Sequence, residues 1–246
     1  MMFDLHTHTT FSDGNNTPEE MVAAAIRMGC EKIGFSDHSY TAFDERYCIA
    51  KSKIGEYRRT VLELKEKYKG KIEILLGIEQ DYYSDEPTDA YDYVIGSVHY
   101  LKIGDEYIPV DDTPEILTDA VNRYFDGDFY ELAKLYFETE ADVARRTNAD
   151  IIGHFDLIRK FNRGGILFDE KNEKYRLAAK NALDKLLSLG VPFEINTGAI
   201  SRGYLDDPYP SEEWIKYIRK HGGSFILSGD SHSADTLCFG FDKIKL

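Results

Sequence analysis

Histidines and acidic residues recur along this chain at spacings that suit metal binding. A His-x-His pair, His6 and His8, lies near the start, and Asp13 follows five residues later. The other residues of this kind are His38, Glu79, His99, His154, Asp230 and His232. Imidazole nitrogens and carboxylate oxygens together are typical ligands of Zn, Mn or Fe. The cysteines include no CxxC pair, which argues against a structural thiolate zinc site.

The spacing within the two short motifs also favours metal binding. Side chains alternate between the two faces of an extended segment, so residues i and i+2 share a face. His6 and His8 can therefore hold one ion together. Asp230 and His232 have the same spacing, although these two residues could bind different ions.

Seven short apolar segments alternate with longer helical patterns. The predicted strands are residues 2–6, 31–36, 71–78, 92–98, 150–153, 191–196 and 224–228. They are rich in Ile, Val, Phe and Leu without strict polar alternation, as expected of strands buried on both faces. Thr17 followed by Pro18 and two acids predicts a helix start, and Gly29 predicts its end. This alternation predicts an α/β fold, either a parallel barrel or a doubly wound sheet.

The candidate ligands fall where these strands end. Six of the seven histidines and three carboxylates lie at predicted C-terminal strand ends. In parallel α/β barrels those ends converge on one face, where active sites are built. His221 is the exception: it follows Arg219 and Lys220 at a helix C-terminus, where a cation interacts favourably with the helix dipole. We interpret His221 as structural.

The length of 246 residues suits one barrel domain over residues 1–246. No repeat, low-complexity tract or linker interrupts it. Residues 102–110 are expected to form a small antiparallel excursion, and residues 112–147 a two-helix insertion at the rim.

The composition limits the binding partners and the location that we expect for this protein. Acids outnumber bases 44 to 30, for a net charge of −14, which disfavours a long nucleic-acid substrate. No apolar stretch approaches the roughly 18 residues of a membrane span, and no secretory signal is visible, so a cytoplasmic protein is expected. Cys30, Cys48 and Cys238 are interpreted as reduced thiols in or near the core. The oligomeric state is left open.

The ordered motifs resemble the PHP (polymerase and histidinol phosphatase) family across nearly the whole chain. They occupy residues 4–14, 36–38, 77–79, 97–99, 153–156 and 229–232. Any one of them alone is weak, but the ordered set is specific. The resemblance implies a distorted (β/α)7 TIM-like barrel, in a single domain, that holds two to three divalent metal ions.

The resemblance also implies a ligand set. One ion is expected to be held by His6, His8, Glu79 and Asp230. Glu79 is expected to bridge to a second ion, which His99 and His154 also bind. A third ion is expected at Asp13, His38 and His232. Some family members carry histidine where Asp13 stands.

Two segments look like the histidinol-phosphatase branch of the family, residues 154–161 and 194–204. Each places an arginine, Arg159 or Arg202, just beyond a strand end. A guanidinium group matches two phosphate oxygens at once, so both are predicted to bind substrate phosphate. The alternative for each is a surface arginine paired to a nearby acid. With Glu79 and Asp230, these arginines make up the predicted catalytic group.

Charge favours a phosphate substrate. Three divalent ions would outweigh the carboxylates of Asp13, Glu79 and Asp230, and a positive site complements a phosphate monoester dianion. Coordination lowers the pKa of bound water to roughly 7 in favourable zinc sites, which would supply a nucleophile at neutral pH. The expected reaction is hydrolysis of a small-molecule phosphate monoester, with L-histidinol phosphate of histidine biosynthesis as the best specific choice.

Further side chains could complete the site. Asp37 and Asp156 could either orient the imidazoles of nearby ligands or cap strand ends. Four tyrosines just past strand ends could line the mouth: Tyr40, Tyr82, Tyr100 and Tyr204.

Three other functions remain open at this point. A PHP-type phosphodiesterase, nuclease or nucleotide phosphatase would use nearly the same metal site. A non-catalytic accessory module would keep the metals without turnover. A tyrosine-phosphate phosphatase is a third possibility, although no protein-binding groove is apparent.

Overall fold

Seven parallel strands form the central sheet of the computed structural model, which describes residues 2–244. Their bounds are β1 Phe3–Asp4, β2 Lys32–Phe35, β3 Glu73–Asp81, β4 Tyr93–Ser97, β7 Ile151–Ile152, β8 Phe193–Asn196 and β9 Phe225–Ser228. Strand order follows chain order, β1-β2-β3-β4-β7-β8-β9, and the sheet curls into a nearly closed barrel. A separate antiparallel hairpin pairs β5 Tyr100–Ile103 with β6 Glu106–Pro109. The expected barrel and the antiparallel excursion are both confirmed.

The barrel closes between its first and last strands through residues just beyond them. Thr7 and Ser231 form an isolated parallel bridge. The backbone N–H of His8 donates to the Ser231 carbonyl at 2.9 Å, and Ser231 N–H donates to the His6 carbonyl at 3.0 Å. Below this bridge, the buried Asp4 carboxylate accepts from Gly229 N–H at 3.0 Å. The segments that complete the barrel are therefore the ones that carry predicted ligands.

Eight helices surround the sheet in the described part of the chain. They are α1 Pro18–Met28, α2 Ile54–Lys67, α3 Pro114–Tyr124, α4 Phe129–Glu140, α5 Val143–Thr147, α6 Glu173–Leu187, α7 Gly198–Ser201 and α8 Glu212–Lys220. The predicted start of α1 is confirmed: Thr17 and Glu20 form a reciprocal capping box. Gly29 ends this helix at a φ of 77°, which glycine adopts without steric cost. No helix between residues 2 and 244 has the length and apolar character to cross a membrane.

Three details differ from the sequence-based expectations. Residues 112–147 form three helices rather than two: Asp128 caps α4 after a turn at Gly127, and the short helix α5 follows α4 after Ala141 and Asp142. The connection from β3 to β4 has no helix; it contains Pro87, which has no N–H to continue one. Strand β3 extends to Asp81, so Glu79 lies within a strand rather than after it.

The inward face of β3 explains how an apolar floor and a polar site share one barrel. Leu75, Gly77 and Glu79 share a face, since strand side chains alternate. Leu75 packs with the apolar cluster at the floor, and the ring of Tyr93 fills the space beside Gly77. A Cβ atom on Gly77 would lie 2.2 Å from Tyr93 Cζ. Glu79 is the next inward residue, at the level of the ligands.

Gly77→Ala should therefore destabilise the fold. Overpacking of this kind costs on the order of 1–3 kcal/mol of unfolding free energy, which urea denaturation would measure. Gly55→Ala is the matched control, because Gly55 lies in α2 with no atom near its added Cβ. The control should be neutral or stabilising. Equal effects of the two substitutions would contradict this account of the barrel floor.

Candidate metal centre

The predicted ligands converge at the C-terminal mouth of the barrel. Seven of the nine fall into three overlapping groups, in each of which the ligand atoms all lie within 4.8 Å of one another. The groups are His6, His8 and Glu79; His38, Glu79 and His99; and His8, Asp13, His38 and His232. The remaining two, His154 and Asp230, join them through Glu79 and His8.

Glu79 lies at the centre of this cluster. Its Oε2 lies 2.9 Å from His38 Nδ1 and 3.2 Å from His6 Nε2. Its Oε1 lies 2.9 Å from His154 Nε2 and 3.2 Å from His99 Nε2. His8 Nε2 also lies 3.5 Å from Oε2. The two carboxylate oxygens thus face different sets of imidazoles, which is the arrangement a bridging ligand requires.

Asp230 completes a group around His6 and His8. Its Oδ1 lies 3.3 Å from His8 Nε2 and 3.8 Å from His6 Nε2. Despite these short distances, four buried atoms here make no well-directed hydrogen bond within residues 2–244: His6 Nε2, both ring nitrogens of His8, and Glu79 Oε2. A buried polar atom left unpaired costs about 1–3 kcal/mol. Nitrogen and oxygen atoms that are buried, convergent and unpaired fit a divalent cation.

Asp13 organises the third group at the edge of the cavity. Its Oδ2 lies 3.2 Å from His232 Nε2, and its Oδ1 lies 3.7 Å from His38 Nε2. The ligand set implied by family resemblance assigned His38 to this group alone. In the structure the His38 ring lies between Asp13 and Glu79, so it could serve either neighbouring ion.

Protonation in the cluster suits ligand chemistry at His8. Burial, reinforced by the nearby His232 and His38, lowers the pKa of His8 to about 3, so its imidazole is neutral. Burial opposes ionisation of Glu79, but His6 and His38 outweigh it and hold the pKa of that carboxyl well below its usual value. Neutral imidazole and ionised carboxylate are the forms that bind metals.

Glu194 and Asn196, two residues apart on β8, tie three ligands together. Glu194 Oε2 lies 2.8 Å from His6 Nδ1. Its Oε1 accepts from His154 N–H at 2.5 Å and from Asn196 Nδ2 at 2.8 Å. Asn196 Nδ2 also lies 3.3 Å from Asp230 Oδ2. Because the Glu194 carboxylate accepts a hydrogen bond from His6 Nδ1–H, it favours the tautomer whose Nε2 is free to bind an ion.

Sequence analysis placed Glu194 in a family-like segment without assigning it a role. The available signal was a glutamate on the same strand face as Asn196 in an otherwise apolar strand. Asp81 was also missed: its Oδ2 accepts from His99 N–H at 3.1 Å and lies 3.3 Å from His99 Nδ1.

The two aspartates that were expected to orient imidazoles or cap strand ends have other partners. Asp37 accepts from Thr9 N–H at 2.8 Å and from Ser12 Oγ at 2.6 Å, which fixes the loop that carries Asp13. Asp156 accepts from Ser211 N–H at 2.9 Å. In the described part of the chain neither carboxylate hydrogen bonds to an imidazole, so imidazole orientation falls to Glu194 and Asp81.

A cavity of about 300 Å³ opens above the cluster. Its floor includes Asp13, His38, Glu79, His99, His154, Asp230 and His232. Its walls include Tyr47, Tyr100, Asp111, Asp112, Lys160, Arg202 and Tyr204. The expected tyrosines Tyr100 and Tyr204 are therefore at the mouth. Tyr40 and Tyr82 do not line the cavity; their hydroxyls bond to Glu45 and Asp142 instead.

Of the two predicted phosphate-binding arginines, only Arg202 reaches this cavity. It donates to the carbonyl of Asp230 at 2.8 Å and to Asp230 Oδ2 at 2.9 Å. Its position beside a predicted ligand and the open cavity suits a phosphate contact.

The structure corrects the expectation for Arg159. This buried side chain donates through Nη2 to Asp207 at 2.8 Å, through Nε to Glu170 at 3.1 Å, and through Nη1 to the Pro208 carbonyl at 3.2 Å. All three guanidinium nitrogens are engaged away from the cavity. The next residue, Lys160, points into the cavity instead.

His221 and the three cysteines were interpreted from the sequence as structural residues. His221 Nδ1 lies 2.8 Å from the Tyr217 carbonyl at the end of α8, remote from the ligands, as expected of a structural histidine. Cys30, Cys48 and Cys238 are buried free thiols.

The fold and the histidine–carboxylate cluster define a class of metal-binding barrel. The PHP domain family model matches residues 4–198, well over half of the chain. This chain therefore belongs to the PHP domain family.

Individual relatives extend the match over almost the whole chain. A probable histidinol-phosphatase of Schizosaccharomyces pombe is 29% identical over 247 residues, covering 92% of this chain and 78% of the relative. A structure from Listeria monocytogenes has a TM-score of 0.84 at 20% identity, covering 99% of this chain and 100% of that one. A histidinol phosphate phosphatase from Lactococcus lactis, solved with zinc, L-histidinol and phosphate, has a TM-score of 0.70 at 25% identity. That match covers 98% of this chain and 91% of the Lactococcus chain.

Glu194→Gln should weaken metal binding more than it weakens the fold. Glu194 accepts hydrogen bonds from three donors through its two oxygens. Glutamine has only one side-chain oxygen, so its amide nitrogen must face one of these donors. The expected loss is roughly 10- to 100-fold in zinc affinity, measured by competition with a chromophoric chelator. Unfolding of the metal-free variant checks that the protein remains folded.

The matched control is Glu140→Gln. Glu140 is an equally buried glutamate on α4, and burial raises its pKa well above the usual value, so a neutral amide resembles its protonated form. The control should bind zinc as the parent does. Parent-like zinc affinity in Glu194→Gln would contradict the assigned role.

Proposed function

We propose that this chain is a metal-dependent phosphatase that hydrolyses L-histidinol phosphate to L-histidinol and phosphate, a cytoplasmic step of histidine biosynthesis. The observation that carries the proposal is a cavity whose floor is a histidine–carboxylate metal centre and whose wall presents Arg202 and Lys160. The relatives described above, named for this activity, favour the same substrate.

Two to three divalent ions would be held by the nine residues of the cluster. Zinc is the first choice, because the Lactococcus structure contains it, and Mn or Fe also suit nitrogen and oxygen ligands. When bound, such ions act as Lewis acids and lower the pKa of coordinated water toward neutrality. The catalytic contribution of Glu79 and Asp230 is to fix these ions at the cavity floor.

Arg202 has a separate task at the wall of the cavity. Its bonds to Asp230 hold the guanidinium group in place beside the cluster. A guanidinium group can donate two parallel hydrogen bonds to phosphate oxygens and neutralise charge that develops on them during transfer. Because Arg202 is already positioned by Asp230, little side-chain entropy is lost when phosphate binds.

The cavity favours a small ester over a polymer. A volume of about 300 Å³ is at the low end of ligand pockets and suits a compact monoester. The net charge of −14 disfavours long-range attraction of nucleic acid. The aromatic rings of Tyr47, Tyr100 and Tyr204 would pack against the imidazole of the substrate.

Phosphate release from L-histidinol phosphate, beside a panel of nucleoside monophosphates, tests the proposal on metal-analysed protein. Turnover should be confined to L-histidinol phosphate and abolished by a chelator. Arg202→Ala should lower kcat/KM on the order of 100-fold. Arg176→Ala, which removes an exposed arginine paired with Glu213, should have parent activity.

Other outcomes would overturn the assignment in distinct ways. Activity confined to nucleotides would keep the metal centre but replace the substrate. A fully metallated protein that hydrolyses none of these esters would support a non-catalytic metal-binding module.

A further inference from the structure

Lys160 and Asp111 form an ion pair that faces the cavity. Lys160 Nζ donates to the Asp111 carbonyl at 2.6 Å and to its Oδ2 at 3.2 Å. Both residues line the cavity, and their side chains are only 15% and 27% exposed. They come from distant segments: Asp111 follows β6, and Lys160 follows the 3₁₀ turn Leu157–Arg159.

The surroundings leave both groups able to change partner. An ammonium group has three donors, and the described part of the chain occupies two of those on Lys160, both with Asp111. Asp111 Oδ1 accepts no hydrogen bond from residues 2–244. The Lys160 ammonium lies 5.0 Å from the centre of the Tyr204 ring, which holds it near the mouth.

The proposed substrate carries the same two charges close together. Its phosphate group is an anion, and an ammonium group sits on the carbon next to the ester carbon. A substrate of this kind can take the place of each partner in the protein's own ion pair. No charge is then left buried and unpaired. A buried charge without a partner is what makes the loss of one member of such a pair costly.

We propose that Lys160 and Asp111 exchange partners when substrate binds, Lys160 moving to the phosphate and Asp111 to the substrate ammonium. The site thereby selects phosphate monoesters that bear a cationic amine beside the ester carbon. This inference rests on the proposed phosphatase function and adds the residues that choose the substrate.

The preference for amine-bearing esters follows from the free-energy cost of binding an ester that lacks the amine. An ester without the amine that draws Lys160 away from Asp111 leaves the Asp111 carboxylate without a cation inside the cavity. Removing one member of a partly buried charge pair is penalised, so such esters bind and react poorly. Nucleoside monophosphates, which have no ammonium at this position, would be rejected on the same ground.

The test uses two substrates that differ only in the amine: L-histidinol phosphate and imidazolylpropyl phosphate. The parent should prefer the amine ester. Asp111→Asn should lower kcat/KM for L-histidinol phosphate by roughly 10- to 100-fold, the value of a charge-assisted hydrogen bond, with little change for the other ester. Lys160→Met should lower both, because it removes a phosphate contact.

Controls separate this effect from general damage. Lys180 and Asp184 form an exposed ion pair on α6, and Lys180→Met and Asp184→Asn should leave the preference unchanged. A second measurement is competitive inhibition by L-histidinol, which Asp111→Asn should weaken in parallel. The inhibition constant of L-histidinol reports binding of the amine directly and does not depend on the rate of phosphate hydrolysis.

The proposal is overturned if Asp111→Asn lowers activity on both esters equally, or on neither, while metal content and thermal unfolding match the parent. Failure of the proposed function looks different, because the parent then hydrolyses neither imidazole ester. In that case ethanolamine phosphate and ethyl phosphate, which also differ only in the amine, replace the first pair of substrates. Loss of the preference for ethanolamine phosphate in Asp111→Asn would support the partner exchange, and an unchanged preference would overturn it.

Discussion

The Glu79 carboxylate has no exposed surface and lies among the imidazoles of five histidines, three at one oxygen and two at the other, at distances from 2.9 to 3.5 Å. Removing an ionised carboxylate from water costs several kcal/mol unless a cation compensates it. Imidazoles compensate only when protonated, and protonated rings packed this closely around one carboxylate would repel one another. Divalent ions resolve both problems, so the mouth of this barrel is stable in its observed form as a cation-binding site.

The strands fix the positions of the ligands around Glu79 at two places in the barrel. The bridge of Thr7 with Ser231 closes the barrel with the same segments that hold His6, His8, Asp230 and His232. On the strand next to this closure, β8, which pairs with β9, Glu194 and Asn196 point inward and fix His6, His154 and Asp230. Ligand position is therefore set by backbone pairing and by buried hydrogen bonds together. Loss of either would move several ligands at once, which is why the site and the fold cannot be varied independently.

Sequence patterns predicted the strands, and the family resemblance selected a barrel over a doubly wound sheet. The convergence of the ligands followed, because the strand ends of a parallel barrel meet on one face. Arg159 and Lys160 show where this reasoning stops. Adjacent residues in the 3₁₀ turn Leu157–Arg159 and just beyond it point in different directions, and only tertiary contacts with Glu170 and Asp207 decide which one faces the cavity. The role of Glu194 was equally hidden, since its partners lie 40 and 188 residues away in the chain.

Anomalous diffraction at the zinc edge, on crystals of zinc-loaded protein, tests the central claim most directly. The account predicts a zinc peak within bonding distance, about 2.0–2.2 Å, of each Glu79 oxygen. One peak should lie toward His6 and His8, and the other toward His99 and His154. Zinc-loaded crystals with no peak beside either Glu79 oxygen would contradict the claim that this carboxylate organises a bridged metal centre.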